Sequence, residues 1–210
     1  MPLDARYLEE NMQERLGLPL SFALSQEPLP PEELSSREKE IYVRQVRSLR
    51  LDSWLRGRAA LKRLLFRLGE DIDTAGIHFP HPTISLSHSG NSAVAACAAP
   101  GATSGLGIDF ELSRTLRPGT ERFFLTEREQ RWMRALRSSM RHRELLRLWT
   151  IKEALFKANP ANRDSLLGHY DLCDPGPLAG QAKWKGDNGT FYRYATIVLD
   201  DGFLTIAVRP

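Results

Sequence analysis

The sequence predicts an α+β fold divided into two halves. Capping-box sequences of the form Ser/Thr-x-x-Glu at residues 35–38 and 126–129 each precede an amphipathic helical segment. About the last fifty residues alternate apolar and polar side chains in short runs, which is typical of antiparallel strands. A turn-rich break, Pro-Gly-Ala-Thr-Ser-Gly at residues 100–105, separates the halves. We therefore expect an N-terminal lobe over residues 1–102 and a C-terminal lobe over residues 103–210.

The first half begins with helices. The first third of the chain reads as helical, with one helix from the capping box to about Arg50 and a second over residues 55–68 that ends before Gly69. Glycine and proline residues then indicate loops. Two short apolar runs predict strands over residues 83–86 and 93–99.

The second half begins with a predicted strand over residues 106–111. Helices are expected from Pro118 onward, after the capping box of Thr126, and over about residues 140–158, where Pro160 prevents continuation. Strands follow, and an Asp-Asp-Gly sequence ending at Gly202 predicts the hairpin turn between the last two. The predicted strands are 166–172, 181–185, 191–199 and 203–208.

Composition is typical of a soluble globular protein. Of the 210 residues, 41% are hydrophobic and 26% are charged. No run approaches the roughly 18 consecutive apolar residues that a membrane span needs. The N-terminal residues carry charges where a secretory signal needs an apolar segment, and the two cysteines, Cys97 and Cys173, are too far apart for a CxxC site. We therefore expect a cytoplasmic protein with no membrane partner.

Arginines are concentrated in one part of the chain. The formal net charge is only +3, but ten arginines lie between residues 114 and 147 with fewer acids among them. This tract predicts a surface for a negatively charged partner. One interpretation is a nucleic-acid-binding protein, although no RRM, zinc-finger or helix-turn-helix signature accompanies the tract. The arginines are Arg114, Arg117, Arg122, Arg128, Arg131, Arg134, Arg137, Arg141, Arg143 and Arg147.

Two acidic residues in the strand over residues 106–111 form a candidate cation site. Asp109 and Glu111 are two positions apart, so both carboxylates leave the same face of a strand while Ile108 and Phe110 face the core. Carboxylates this close repel each other unless a cation lies between them, as in a magnesium site. On spacing alone, a solvated acidic strand face is the better interpretation.

The predicted helix over residues 140–158 carries a lysine where an apolar residue is expected. Leucines and aromatic residues form an apolar stripe on this helix, and Lys152 falls in the middle of the stripe. A lysine there is costly unless its ammonium reaches a partner, which suggests an anionic site against the helix. Glu153 and Lys157 lie one turn apart at the edge of the stripe. The alternative is a surface ion pair beside a lysine that extends to solvent.

A polar turn follows the first predicted strand. Residues 84–91 read Ile-Ser-Leu-Ser-His-Ser-Gly-Asn and could offer several hydrogen-bond donors to a phosphate. Ser87 and His88 do not form a catalytic pair, because neighbours in a strand face opposite ways and no third member is evident. Taken alone, the segment is better interpreted as an ordinary polar turn. The sequence contains no P-loop and no GxGxxG, so ATP- and NAD-binding have no support.

Taken together, three segments resemble the 4′-phosphopantetheinyl transferases. Gly-Ile-Asp-Phe-Glu at 107–111 and Trp-Thr-Ile-Lys-Glu-Ala-Leu-Phe-Lys-Ala at 149–158 match every fixed position of the family pattern. That pattern is G-(I/V)-D-x-E followed about forty residues later by W-(S/T/C)-x-K-E-(A/S)-x-x-K. Ser-Leu-Ser-His-Ser-Gly at 85–90 adds a weaker likeness, and the resemblance covers roughly residues 35–160. It is closest to the longer, two-lobed type.

The resemblance implies a holo-carrier-protein synthase. Such an enzyme uses Mg²⁺ to transfer the 4′-phosphopantetheine arm of coenzyme A to a serine of an apo acyl, polyketide or peptidyl carrier protein, and it releases adenosine 3′,5′-bisphosphate. Glu153 would draw the proton from the serine, and Lys157, with Lys152 as a second candidate, would neutralise the leaving phosphate. By matching position, the metal ligands are Asp109, Glu111 and Glu153, the catalytic residues are Glu153, Lys157 and Lys152, and the coenzyme A contacts are Arg58, Ser87 and His88.

The resemblance also implies an architecture. It predicts two similar α+β lobes, a pseudo-dimer, with the active site in the cleft between them, so that a monomer suffices. The sequence departs from the family in two places. Phe-Pro-His-Pro at residues 79–82 replaces a common Gly-Lys-Pro, and Asn-Pro-Ala-Asn at residues 159–162 replaces common glycines. Under this resemblance, the arginine tract after residue 114 would offer a basic face to carrier domains, which are commonly acidic. Intact Asp109, Glu111, Glu153 and Lys157 argue against a degenerate transferase kept as an interaction protein.

Overall fold

The computed structural model describes residues 4–112, 115–186 and 190–210. The helices are α1 (Ala5–Leu16), α2 (Ser36–Gln45), α3 (Leu51–Leu68), α4 (Glu121–Phe124), α5 (Glu127–Ala135) and α6 (Ser138–Ala158). The strands are β1 (Leu20–Ser25), β2 (Ile84–Ser89), β3 (Ser92–Ala98), β4 (Gly105–Leu112), β5 (Tyr170–Leu172), β6 (Ala179–Trp184), β7 (Phe191–Leu199) and β8 (Gly202–Arg209).

The strands form two antiparallel sheets, which confirms the α+β class. The first sheet has the order β1-β3-β2 and packs against α3. The second has the order β4-β8-β7-β6-β5 and packs against α6. Edge strand β2 of the first sheet lies against edge strand β4 of the second. None of the described helices combines the length and the apolarity that crossing a membrane requires.

The two sheets share one apolar core with α1. Apolar residues of β4 at every second position enter this core, while the residues between them face α6. The helix and the shared core thus occupy opposite faces of β4, as the alternation of its sequence predicts. Members of the core are Leu8, Met12, Phe22, Val94, Leu106, Ile108, Phe110, Ile197 and Ile206.

Most predicted elements are present, with three corrections. The strand expected over residues 166–172 spans only Tyr170–Leu172, because Leu167–His169 forms a 3-10 helix. Both predicted capping boxes form, and Gly69 ends α3 at a φ of 72°. The helix expected to reach Arg50 stops at Gln45, because the chain makes a turn before α3. The first third is also not wholly helical, since β1 pairs along its whole length with β3. This pairing joins residues about seventy positions apart, which local sequence patterns do not reveal.

The two capping boxes belong to equivalent polar networks. In the first half, Glu38 accepts hydrogen bonds from Lys62 Nζ at 2.8 Å and from the Thr74 backbone N–H at 3.0 Å. Burial opposes ionisation of Glu38, but hydrogen bonds from Lys62, Thr74 and the Ser35 backbone outweigh it and lower the pKa of the carboxyl to about 2. The cap hydroxyl of Ser35 donates to Asp73 at 2.9 Å.

The second half repeats this network. Glu129 accepts from Lys152 Nζ at 2.7 Å and from the Leu172 backbone N–H at 2.9 Å. The cap hydroxyl of Thr126 donates to Asp171 at 3.2 Å, as Ser35 donates to Asp73. An arginine two positions after each cap residue completes the correspondence, because Arg37 pairs with Asp73 and Arg128 pairs with Asp171.

Candidate active site

Two glycines allow helix α6 to lie directly on strand β4. A Cβ built on Gly107 would stand 1.9 Å from the Ala154 carbonyl oxygen, and one built on Gly105 would stand 1.9 Å from the Ala158 carbonyl oxygen. Only glycine, which has no Cβ, can lie so close to the backbone of another element. The glycine of the Gly-Ile-Asp-Phe-Glu segment therefore determines how near the helix comes to the two acidic residues that follow.

Two residues of α6, two helical turns apart, contact the acidic face of β4. Lys157 Nζ donates to Asp109 Oδ1 at 2.8 Å, and Trp149 Nε1 donates to Glu111 Oε1 at 3.3 Å. Glu153 is four residues from each, so it lies on the same side of the helix, about 6 Å along the axis from both. The helix thus places the half-buried carboxylate of Glu153 between Lys157 and Trp149, whose side chains contact the strand.

Asp109 is the most enclosed of the three predicted metal ligands. Its side chain is 7% exposed, and its Oδ1 accepts from Lys157 and from the Ser87 hydroxyl at 3.1 Å. Its Oδ2 is buried and has no hydrogen-bond partner within the described part of the chain. A buried carboxylate oxygen without a partner is unfavourable, and a hard cation is the kind of group that would satisfy it.

The three carboxylates do not form a ready-made metal cluster. Among residues 4–112, 115–186 and 190–210, no three acidic, histidine or cysteine side chains lie close enough together to hold one ion. The ammonium of Lys157 and the indole of Trp149 each engage one carboxylate oxygen of the pair on β4. The oxygen-only donor set and the unpartnered oxygen of Asp109 nevertheless fit a hard divalent cation.

Three serines of β2 connect the two sheets at this site. Each serine oxygen accepts a hydrogen bond from a backbone N–H on the free edge of β4, which replaces the strand pairing that this edge lacks. Ser87 and Ser89 also donate to the carboxylates of Asp109 and Glu111, at 3.1 and 3.4 Å. The three edge bonds join Ser85 to Ile108 at 3.0 Å, Ser87 to Phe110 at 3.2 Å and Ser89 to Leu112 at 2.9 Å.

A pocket of about 300 Å³ lies beside Lys157. His88 is exposed on β2 and lines this pocket. Partial burial of the imidazole lowers the pKa of His88, Lys157 and Arg50 lower it further, and Asp109 and Glu111 oppose the shift. The lining residues are Phe79, Pro80, Ser85, Leu86, His88, Lys157 and Asn162. Larger cavities of about 640 and 560 Å³ lie elsewhere, and none of the predicted site residues lines either of them.

The structure does not bring Lys152 to this cluster. Its Nζ donates to both carboxylate oxygens of Glu129, at 2.8 and 2.7 Å, and to the Tyr170 carbonyl, and the side chain is fully buried. Burial lowers the pKa of Lys152, and Glu129 opposes that shift. The anionic partner expected for this lysine is thus a protein carboxylate rather than a substrate, and its expected catalytic role gains no support.

Arg58 also lies outside the pocket lining. Its guanidinium donates to the carbonyl and the hydroxyl of Thr74, at 2.8 and 2.9 Å, and stacks 5.1 Å from the centre of the Trp54 ring. This arrangement joins Arg58 to the polar network of Glu38, so the expected coenzyme A contact has no support here. In place of the family lysine, His81 accepts from the backbone N–H groups of Thr83 and Ile84 through Nδ1.

The arginine tract provides less basic surface than its composition predicts. Arg147 is 1% exposed and donates to the carbonyls of Pro175 and Pro177. Arg128 is bound to Asp171 and to the Cys173 carbonyl. Arg131, Arg134 and Arg137 are exposed, and Arg114 lies outside the described residues.

The sequence interpretation missed several contributors to the site. Trp149 lies in the apolar stripe and in the family pattern but is assigned no role in the sequence interpretation, yet its indole contacts Glu111. The spacing of Trp149, Glu153 and Lys157 at four-residue intervals is the signal that could have grouped them. The alternating serines of β2 were likewise a visible pattern, although their partners on β4 were not.

Comparison with known families gives a match in the second half of the chain. Residues 105–198 match the family model described as the 4′-phosphopantetheinyl transferase superfamily. A search of curated proteins found no match. The matched segment contains β4 and α6 and therefore includes Asp109, Glu111, Glu153 and Lys157. Residues 105–198 of this chain are thus similar to the 4′-phosphopantetheinyl transferase superfamily.

Proposed function

We propose that the protein transfers the 4′-phosphopantetheine group of coenzyme A to a serine hydroxyl of an apo carrier protein, in the presence of Mg²⁺. The observation that carries this proposal is the row of Trp149, Glu153 and Lys157 on α6 facing Asp109 and Glu111 on β4. The family match over residues 105–198 supports transfer of this group, and the buried, unpartnered oxygen of Asp109 supports a cation at the same place.

Asp109, Glu111 and Glu153 would hold the metal, which would neutralise charge on the diphosphate of coenzyme A. Glu153 accepts the proton of the serine hydroxyl as its oxygen forms a bond to the phosphorus that carries the pantetheine arm. The bond from that phosphorus to the oxygen bridging the diphosphate breaks, and adenosine 3′,5′-bisphosphate leaves with the electron pair. Lys157 stabilises the negative charge on the leaving phosphate, so most of the catalysis is positioning and charge neutralisation.

The pocket beside Lys157 supports a site between two lobes. Its lining takes Phe79, Leu86 and His88 from the first half of the chain and Lys157 and Asn162 from the second. The equivalent networks around Glu38 and Glu129 support the proposal of two similar lobes over 1–102 and 103–210. Because one chain supplies both sides of the pocket, we expect a monomer. Ser87 and His88 remain the proposed phosphate contacts.

A nucleic-acid-binding role has no comparable support. Arg147 is buried and Arg128 is paired, which removes two of the charges on which that interpretation depended. The two functions predict different measurements. Binding to nucleic acid would weaken steeply with salt, whereas the transferase adds mass to a carrier protein.

The test of the proposed function is intact-mass analysis of apo carrier proteins after incubation with coenzyme A and Mg²⁺. We expect a gain of one phosphopantetheine group on at least one carrier, and loss of that gain on chelation of the metal. Glu153→Gln keeps the size of the side chain and should lower kcat at least about 100-fold without unfolding the protein. Glu127→Gln, an exposed residue on α5, is the matched control and should remain active. An active Glu153→Gln enzyme would remove Glu153 from its catalytic role.

A further inference from the structure

A short segment between α2 and α3 exposes aliphatic side chains to solvent. Val43 is 69% exposed, Val46 is 48% exposed and Leu49 is fully exposed. A single exposed apolar residue needs no explanation, but three within seven residues give this short segment an apolar strip on its exposed side. Their neighbours Tyr42 and Leu51 pack against a small buried cluster. One side of the segment therefore contacts the protein core, while the other side faces solvent.

The same segment is strongly basic. Arg44, Arg47 and Arg50 alternate with the aliphatic residues, and residues 41–51 contain no acid. All three arginines are exposed, and within the described part of the chain none of their guanidinium groups forms an ion pair. By contrast, Arg37 pairs with Asp73 and Arg56 pairs with Asp52 on the flanking helices. An unpaired basic rim around an apolar strip is complementary to an acidic surface with an apolar centre.

The segment lies next to the candidate active site. Gly57 of α3 packs against Leu86 of β2, and Leu86 lines the pocket beside Lys157. Arg50 is seven residues before Gly57, which places it about 10 Å along the helix axis from that contact. The positive charge of Arg50 is also close enough to His88 to lower the pKa of the imidazole.

We propose that this segment is the docking surface for the protein that presents the acceptor serine, and that its partner is acidic with an apolar patch. This inference rests on the proposed function, because the partner is the acceptor of the transferred group. A protein that binds beside the pocket can place its serine near Glu153, and attraction between opposite charges would speed the encounter. The 43–50 surface comprises Val43, Arg44, Val46, Arg47, Leu49 and Arg50.

The test compares charge reversal on two basic surfaces of the full chain. In Arg44→Glu/Arg47→Glu we expect KM for an apo carrier to rise about tenfold, while kcat and KM for coenzyme A change less than twofold. Arg131→Glu/Arg134→Glu on α5 makes the same change in charge and is the matched control, with KM for carrier nearly unchanged. Leu49→Ser tests the apolar strip without altering charge and should raise the same KM about threefold. Arg50 is left intact because it lies near the pocket.

Each outcome decides a separate point. If the wild-type chain modifies no carrier in a broad panel, the proposed function and this inference fail together. If the wild type is active but Arg44→Glu/Arg47→Glu leaves KM for carrier unchanged, only the docking surface is wrong. A rise in KM for coenzyme A, or an effect confined to the α5 control, would also overturn it. Cosedimentation with vesicles of neutral and anionic phospholipid provides the last comparison. If the wild-type chain binds the vesicles, and Arg44→Glu/Arg47→Glu abolishes that binding without changing KM for carrier, the surface binds a membrane and the docking proposal is wrong.

Discussion

Replacing Gly107 with alanine tests whether the close approach of α6 to β4 creates the candidate active site. The new Cβ would lie 1.9 Å from the Ala154 carbonyl oxygen, whereas ordinary contacts begin at 3.4 Å. Helix and strand must therefore separate locally by about 1.5 Å, or the backbone must distort. This separation would move Lys157 of α6 away from Asp109 of β4. Their ion pair, which is 2.8 Å long, would be lengthened or broken.

Two effects of Gly107→Ala can be worked out from this geometry. Overpacking of a rigid contact costs about 1–3 kcal/mol in the free energy of unfolding. A misplacement of about 1 Å in a catalytic group can lower the rate about 100-fold, so kcat should fall to near 1% while the protein remains folded. Urea unfolding measures the first quantity, and the rate of mass gain on a carrier protein measures the second.

Gly168→Ala is the matched control for this experiment. A Cβ at Gly168 meets only the Phe123 carbonyl oxygen at 3.6 Å, which is an ordinary contact. We expect this variant to keep wild-type stability within about 0.5 kcal/mol and to keep its activity. A Gly107→Ala protein with wild-type kcat and stability would refute the argument that the glycine is needed for the approach of the helix.

Two further predictions separate stability from catalysis. Lys152→Met should remove the lysine partner of the buried Glu129 and lower the free energy of unfolding by about 3–5 kcal/mol. Lys157→Met should instead lower kcat with a smaller loss of stability. Denaturation and turnover measured on both variants check this prediction, and equal effects of the two substitutions would contradict it. Glu38, with its pKa lowered from 4.5 to about 2, should contribute about 3 kcal/mol that is present above about pH 5 and lost as the pH falls towards 2, because the unfolded state binds the proton first. Urea unfolding between pH 6 and pH 2 should show this loss, and Glu38→Gln should flatten the curve in that range; an unchanged slope would show that the network does not hold the carboxylate ionised.

Local patterns predicted the parts of this fold that depend on local rules. Alternation in β4 placed Asp109 and Glu111 on one face because strand side chains alternate strictly, and the structure has both carboxylates facing α6. The two capping boxes were visible because a cap involves residues only three positions apart. Strand β1 was missed, since its pairing with β3 is a long-range contact that its own sequence does not encode.

The same distinction explains the errors in the predicted site. The apolar stripe of α6 correctly indicated that Lys152 needs a partner, but Glu129 is 23 positions earlier and belongs to another helix. Arg58 was assigned to the ligand by likeness alone, whereas Thr74 and Trp54 hold it in the structure. Identifying a partner requires the tertiary fold, because a charged group can be satisfied by the protein as well as by a substrate.

Helix α6 directs the neighbouring charged residues Lys152 and Glu153 to different sides. Steps of four residues rotate by only about 40°, so Trp149, Glu153 and Lys157 remain on the side that faces β4. A step of one residue rotates by about 100°, which takes Lys152 away from Glu153 and towards Glu129. One contiguous motif therefore performs two tasks: Lys152 fixes the helix to α5 and β5, and that attachment holds the other three side chains over the acidic strand. Lys62 and Glu38 make the corresponding attachment in the first half of the chain, where the preceding strand β1 carries no acidic residue. The buried lysine thus has the same structural role in each half, whereas the residues proposed for catalysis on α6 and β4 belong to the second half.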